Sequence, residues 1–335
     1  MYREAAQAPE AVREQLQANA ARVARLAARL RQTPPRAVVT CARGSSDHAA
    51  TFARYLIETR LGVLTSSAAP SVSSVYDARP DLAGAVVLAI SQSGASPDLL
   101  AAVSSARAAG AHIVALVNAE HSPLAQLADD LIPLCAGMER SVAATKSYIA
   151  SLAAIVHLVA SWSRDAQLAA ALQQAPELLE RAWRLDWSAA VTHLMPANNM
   201  YVIGRGLGLG VAQEAALKLK ETCGLHAEAV SAAELRHGPM ALVRAGFPLL
   251  IFTQNDESRS GVTQLAAELA AQEADVLLAG ADAARATILP TEGAHPVIEP
   301  LLFAQSFYRM ANALSLARGG DPDRPPHLHK VTETL

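Results

Sequence analysis

AVVLAISQSGAS, residues 85–96, is the stretch that decides the fold. Ala85 to Ile90 is an unbroken apolar run, as expected of a strand buried on both faces. Ser91-Gln92-Ser93-Gly94 is a tight polar turn, and a helical pattern follows through Ala109. Strand, turn and helix in that order make the unit of an α/β protein with a parallel sheet. Working outward, Ala37 to Thr40 reads as a strand, with Arg43-Gly44-Ser45-Ser46 opening a helix through Glu58. His112 to Val117 is a third strand. Later strands are expected at Met200 to Ile203, Pro248 to Phe252 and Val276 to Ala279, with Arg205-Gly206 and Thr253-Gln254 at the ends of the first two.

The two series share one register. Arg43-Gly44 maps onto Arg205-Gly206 (205 − 43 = 162), and Ser91-Gln92 onto Thr253-Gln254 (253 − 91 = 162). Ile113 to Val117 lands on Asp275 to Ala279 at the same shift. A common offset argues for duplication of an α/β domain, with Ser163 to Asp186 reading as a polar linker between the copies. The expected organisation is a helical lead-in over 1–34, a first domain over 35–165, a second over 166–320 and a tail over 321–335.

Ligand sites in such sheets lie beyond the carboxyl ends of the strands. The first copy puts hydroxyls there, in Ser45-Ser46 and in Ser91, Gln92, Ser93 and Ser96. These turns precede helices, where free backbone N–H groups and the helix dipole favour an anion. Serine is also a good N-cap; two such turns after neighbouring strands favour a phosphate. Ser141 to Lys146, with Ala143 taken as a substrate-binding position, is a third turn of this kind. There is no GxxxxGK[ST] and no GxGxxG with dinucleotide spacing.

The second copy has lost most of these hydroxyls and carries EAALKLKETCGLHAEAVSAAELRHGP, residues 214–239. Glu214, Lys218 and Glu221 stand at i, i+4 and i+7, on one helix face. A solvated ion-pair face has the same spacing. Proximity to His226 and His237, and to an anion pocket elsewhere in the chain, favours acid–base chemistry.

Bulk properties narrow the classes. Net charge is −3, against the basic surface of a nucleic-acid binder. Cys41, Cys135 and Cys223 form no CxxC pair, so no zinc site or disulfide framework is expected, and a reducing, cytoplasmic setting fits. The charged N-terminal helix is unlike a signal peptide, and no apolar stretch is long enough for a membrane span.

SQSGASPDL, ERSVAATK, GRG…EAALKLKE, HAEA and ELRHGP resemble the sugar isomerase (SIS) domains of glucosamine-6-phosphate synthase, from about residue 35 to the C-terminus. The resemblance implies two tandem SIS domains, each a three-layer αβα, flavodoxin-like parallel sheet, with an N-terminal helix and a C-terminal tail. By position, it makes Ser46, Ser91, Gln92, Ser93 and Ser96 phosphate ligands and Glu221 the carboxylate that moves a proton between C1 and C2. Lys218 transfers the hydroxyl proton, and Glu214 lies a turn earlier. His237 becomes the ring-opening histidine reaching in from a neighbouring subunit, so a homodimer is expected. Lys330 becomes the tail lysine, forming a Schiff base or binding the open-chain sugar. No metal or cofactor is implied.

The synthase's N-terminal glutaminase domain has no counterpart in this sequence, so the resemblance is to the isomerising glucosamine-6-phosphate deaminase branch. The expected reaction converts glucosamine 6-phosphate and water to fructose 6-phosphate and ammonia. Alternatives are a galactosamine-6-phosphate deaminase or ketose–aldose isomerase, a fructosamine-phosphate deglycase, or a non-catalytic sugar-phosphate-binding regulator. Ala144 and Ala95 depart from the synthase pattern beside the phosphate and sugar, and His327 and His329 flank the tail without an assigned role.

Overall fold

A computed structural model of the chain describes residues 1–78, 80–328 and 330. The residues divide into two compact bodies. The first contains 10–139, 146–173 and Lys330; the second contains 1–9, 140–145 and 174–328.

The first body holds a five-stranded sheet of β1 (Val38–Cys41), β2 (Thr65–Ser67), β3 (Val86–Ser91), β4 (His112–Val117) and β5 (Asp130–Pro133), in the order β2-β1-β3-β4-β5. All its pairings are parallel. Every residue of β3 is buried, as its continuous apolar run requires. On one face Val87, Ala89, Ile113 and Ala115 pack against Leu99, Val103 and Leu124. Helix Ala8–Gln32 is tied to this body through buried amides: Gln15 Nε2 donates to Leu134 O and Ala150 O, and Asn19 Nδ2 to Pro133 O.

The second body holds β6 (Asn199–Gly204), β7 (His226–Ser231), β8 (Pro248–Phe252), β9 (Asp275–Ala279) and β10 (Thr287–Leu289), in the order β10-β9-β8-β6-β7. Read from β7, this is the order of the first sheet, again all parallel. The 162-residue shift carries beyond the strands. Helix Ser45–Leu61 lands on 207–223, where helix Gly208–Cys223 lies. Helix Pro97–Ala108 lands on 259–270, within helix Arg259–Ala271. β2 lands on 227–229, inside β7.

One expectation is corrected. Most of the stretch taken as a linker is helix Ala166–Arg184. Its polar residues mask an apolar face: Leu168, Leu172, Ala175, Leu179 and Ala182 recur at helical spacing and are buried. β2, β5, β7 and β10 were not expected, being short or of mixed polarity, with too few residues to display a period. Among the described residues no helix is long and apolar enough to cross a membrane.

Candidate active site

The first body gathers two serine turns at the carboxyl ends of the adjacent strands β1 and β3. In the β3 turn, Ser91 Oγ accepts the Gly94 N–H at 2.9 Å, which leaves its own proton to donate outward. Gly94 has φ +62°, and a Cβ there would sit 2.2 Å from Ser122 Oγ and 2.9 Å from Val117 Cγ2. Only glycine closes the turn. Ser96 is the N-cap of helix Pro97–Ala108, yet its side chain makes no capping bond, so its hydroxyl is not used up in ending the helix. Ser45 and Ser46 begin helix Ser45–Leu61 and are half-buried, as are Gln92 and Ser93.

A contact that the sequence did not advertise joins the two turns. Arg43 Nε donates to Asp98 Oδ2 at 2.7 Å, and Asp98, buried in the first turn of its helix, also accepts the Leu99 N–H at 2.8 Å. The pair ties the loop after β1 to the helix after β3. The signal was Asp98 itself, an acidic residue seven positions beyond Ser91, where a helix N-terminus favours a carboxylate.

The second body holds helix Gly208–Cys223, which carries Glu214, Lys218 and Glu221. Glu214 and Lys218 do not form a solvated face: their side chains are 1% exposed each. Lys218 Nζ lies 2.5 Å from Glu221 Oε2 and 3.5 Å from Glu214 Oε1. Tyr308 Oη donates to Glu214 Oε1 at 2.9 Å. Tyr308 is 94 residues from Glu214 in the chain and went unnoticed in the sequence. It sits on helix Glu299–Ala317, which packs on helix Gly208–Cys223. Glu221, with a side chain 20% exposed, opens onto a cavity of ≈ 660 Å³ lined also by Lys220, Thr222, Asp321, His327 and Leu328. A carboxylate, an ammonium and a second carboxylate thus run from the interior to the cavity wall.

The duplication makes this relay informative. Glu214 and Lys218 shift by 162 onto Phe52 and Leu56, both buried apolar residues in the first copy, and Glu221 onto Thr59. The same places in the same fold are thus filled by hydrocarbon once and by charge once. Taking charges out of water costs several kcal/mol per ion, and the first copy's fold does without them.

The remaining predicted residues are placed as follows. His237 is exposed; its N–H donates to Glu234 O at 2.9 Å to close a 3₁₀ turn, and it does not line the cavity beside Glu221. Ala143 is buried in the 140–145 segment, which groups with the second body. Ser141 of that segment donates to Asp323 Oδ1 at 2.7 Å, so its hydroxyl proton is already given to a carboxylate. Lys330 lies in the first body, 3.7 Å from Glu139 Oε2. His226 borders a separate cavity of ≈ 510 Å³ at the amino ends of β6, β7 and β8, with Tyr201, Glu228 and Arg244. His327 adopts φ +64°; His329 lies outside the described residues.

Two parallel sheets of one strand order, one with serine turns at its carboxyl edge and the other backed by a buried Glu–Lys–Glu row, define a duplicated three-layer α/β protein. Residues 33–161 and 193–280 match the SIS domain, and the chain belongs to the SIS domain family. It is 34% identical over 309 residues to the isomerising glutamine–fructose-6-phosphate aminotransferase of Aeropyrum pernix, covering 86% of this chain and 49% of that protein. The chain spans about half the length of the curated relatives it matches. A candidate phosphosugar isomerase from Silicibacter pomeroyi DSS-3 superposes with a TM-score of 0.92 at 44% identity, covering 96% of this chain and 99% of that one. Glucosamine-6-phosphate deaminase from Thermotoga maritima shares the fold, with a TM-score of 0.79 at 20% identity and 99% of both chains covered.

Proposed function

We propose that this chain is an amino-sugar-phosphate isomerase and deaminase that converts glucosamine 6-phosphate and water to fructose 6-phosphate and ammonia. The observation that carries the reading is the buried Glu214–Lys218–Glu221 relay, standing where the first copy has Phe52 and Leu56 and ending at a cavity. The serine turns at β1 and β3 hold the phosphate ester. After ring opening, Glu221 takes the proton from C2 and returns it to C1. The C1 aldehyde becomes a hydroxymethyl group and C2 becomes an imine. Water adds to the imine, the C–N bond breaks, and ammonia leaves a C2 ketone. Lys218, bonded to Glu221 and beside Glu214, moves the hydroxyl proton that balances this transfer.

His237, exposed on its own subunit, completes the reading as the ring-opening acid–base group delivered to a partner's site in a homodimer.

The test is release of ammonia with fructose 6-phosphate from glucosamine 6-phosphate, run beside galactosamine 6-phosphate and a fructosamine phosphate. Glu221→Gln is expected to lower kcat by about 10²–10⁴-fold while sugar-phosphate binding persists. A folded wild type that releases no ammonia from any of the three would refute the assignment.

A further inference from the structure

Arg43 stands where the two serine turns meet. It lies in the loop after β1, just before the helix that Ser45 and Ser46 begin, and its backbone carbonyl accepts the Ser46 N–H at 3.1 Å. Its side chain reaches the other turn, where Nε donates to Asp98 Oδ2 at 2.7 Å, two residues past the N-cap Ser96. The Asp98 side chain is 1% exposed and that of Arg43 54%, so an open guanidinium is anchored on a buried acceptor. Arg43 is also felt on the neighbouring helix. Burial raises the Asp47 carboxyl, and His48 and Arg43 oppose that shift.

A guanidinium offers five N–H donors in a planar fork and keeps its charge at all ordinary pH. The bond to Asp98 uses the Nε donor and leaves the Nη donors over for a second acceptor. The serine turns themselves supply only hydroxyls and backbone N–H groups, whereas a phosphate monoester carries a charge of about −1.5 to −2 at neutral pH. The fork of an arginine matches that group better than any other side chain does.

The duplication argues against a tie needed only for folding. Arg43 recurs at the 162-residue shift as Arg205, but Asp98 lands on Ser260, which provides no carboxylate. The second copy completes the same sheet without the pair. The pair is kept in the copy whose turns hold the serines.

We propose that Arg43 is a further phosphate ligand, positioned by Asp98 and donating through its Nη groups to the ester held by the two serine turns. The proposal rests on the functional reading above, in which those turns hold the phosphate.

The experiment uses the full chain and calorimetric titration with glucitol 6-phosphate, an open-chain sugar phosphate with no carbonyl to react. Arg43→Gln is expected to bind about tenfold more weakly than wild type or worse, the loss of charge-assisted hydrogen bonds. Arg43→Lys keeps the charge without the fork and should fall between the two. Asp98→Asn removes a negative charge beside the ester and should bind at least as tightly as wild type. Inorganic phosphate, used as the competitor, should lose affinity for Arg43→Gln by the same factor as the sugar phosphate. In turnover of glucosamine 6-phosphate, Arg43→Gln should raise KM far more than it lowers kcat, as expected of binding equal in ground and transition states.

Undiminished binding by Arg43→Gln, or phosphate competition that the substitution does not weaken, would overturn the proposal. So would equal losses in Arg43→Gln and Asp98→Asn, which would mark the pair as a structural tie. If Arg43→Gln does not fold, Arg43→Lys decides, and binding equal to wild type overturns the proposal. A wild type that binds glucitol 6-phosphate but releases no ammonia overturns the deaminase reading alone; one that binds no sugar phosphate overturns both.

Discussion

Glu299 illustrates how much a single residue's surroundings matter in a core of this kind. It is buried in the first turn of helix Glu299–Ala317, and accepts the N–H groups of Asn255 at 2.6 Å and Ala294 at 3.4 Å. Burial pushes its carboxyl above the ordinary glutamate value of 4.5, and those two bonds only partly oppose the shift. A carboxyl raised in the folded state binds its proton more tightly there than in the unfolded chain. Stability is therefore expected to fall as pH rises from about 4.5 through the raised folded value. Urea midpoints taken across that range should decline more steeply for wild type than for Glu299→Gln; parallel slopes would mean that Glu299 does not titrate there. The sequence presented Glu299 as one acidic residue among 31 Asp and Glu. Its burial depends on partners 5 and 44 residues away, which local pattern does not report. Glu139 and Tyr308 were illegible for the same reason, whereas Ser91 and Glu221 were legible because strand–turn–helix order and helical spacing are local properties.

The helix Gly208–Cys223 carries the relay as a unit, and its members depend on one another. Lys218→Met leaves Glu214 buried without its ammonium and is expected to cost about 3–5 kcal/mol. Converting Glu214→Met, Lys218→Met and Tyr308→Phe together replaces the whole set with apolar groups of similar volume, as the first copy does with Phe52 and Leu56. That triple variant is expected to recover most of the lost stability in urea unfolding and to have no activity. A triple variant less stable than Lys218→Met would show that the charges hold the helix in place. The contrast also explains a misjudged element. Ala166–Arg184 looked like a linker because its polar residues stand out, while the regularity of its buried face is apparent only when the stretch is laid on a helix.

For the whole molecule, the shared 162-residue register is the feature most fully legible in the sequence. Arg-Gly and Ser/Thr-Gln pairs recur at strand ends at that one offset, and a shared offset is readable without any tertiary information. The domain-scale proposal is that His237 of one subunit serves Glu221 of another. Mixing inactive Glu221→Gln and His237→Asn proteins under exchange conditions should then restore activity. With free exchange, half the dimers are mixed and each has one intact site of two, so recovery of about a quarter of wild-type activity is expected. No recovery, with exchange shown by mass spectrometry, would place both groups in one subunit. The composition of the two bodies has a further consequence, for the order in which the chain takes shape. Residues 1–9 belong to the body completed by 174–328: Tyr2 packs on Trp183 with ring centroids 4.8 Å apart, and Gln305 Nε2 donates to Ala5 O across 300 residues. At about 5–20 residues per second, a ribosome takes on the order of 15–60 s to cover that separation. A segment made about 300 residues ahead of its partner is therefore seated late, and it spends the interval within reach of chaperones and proteases.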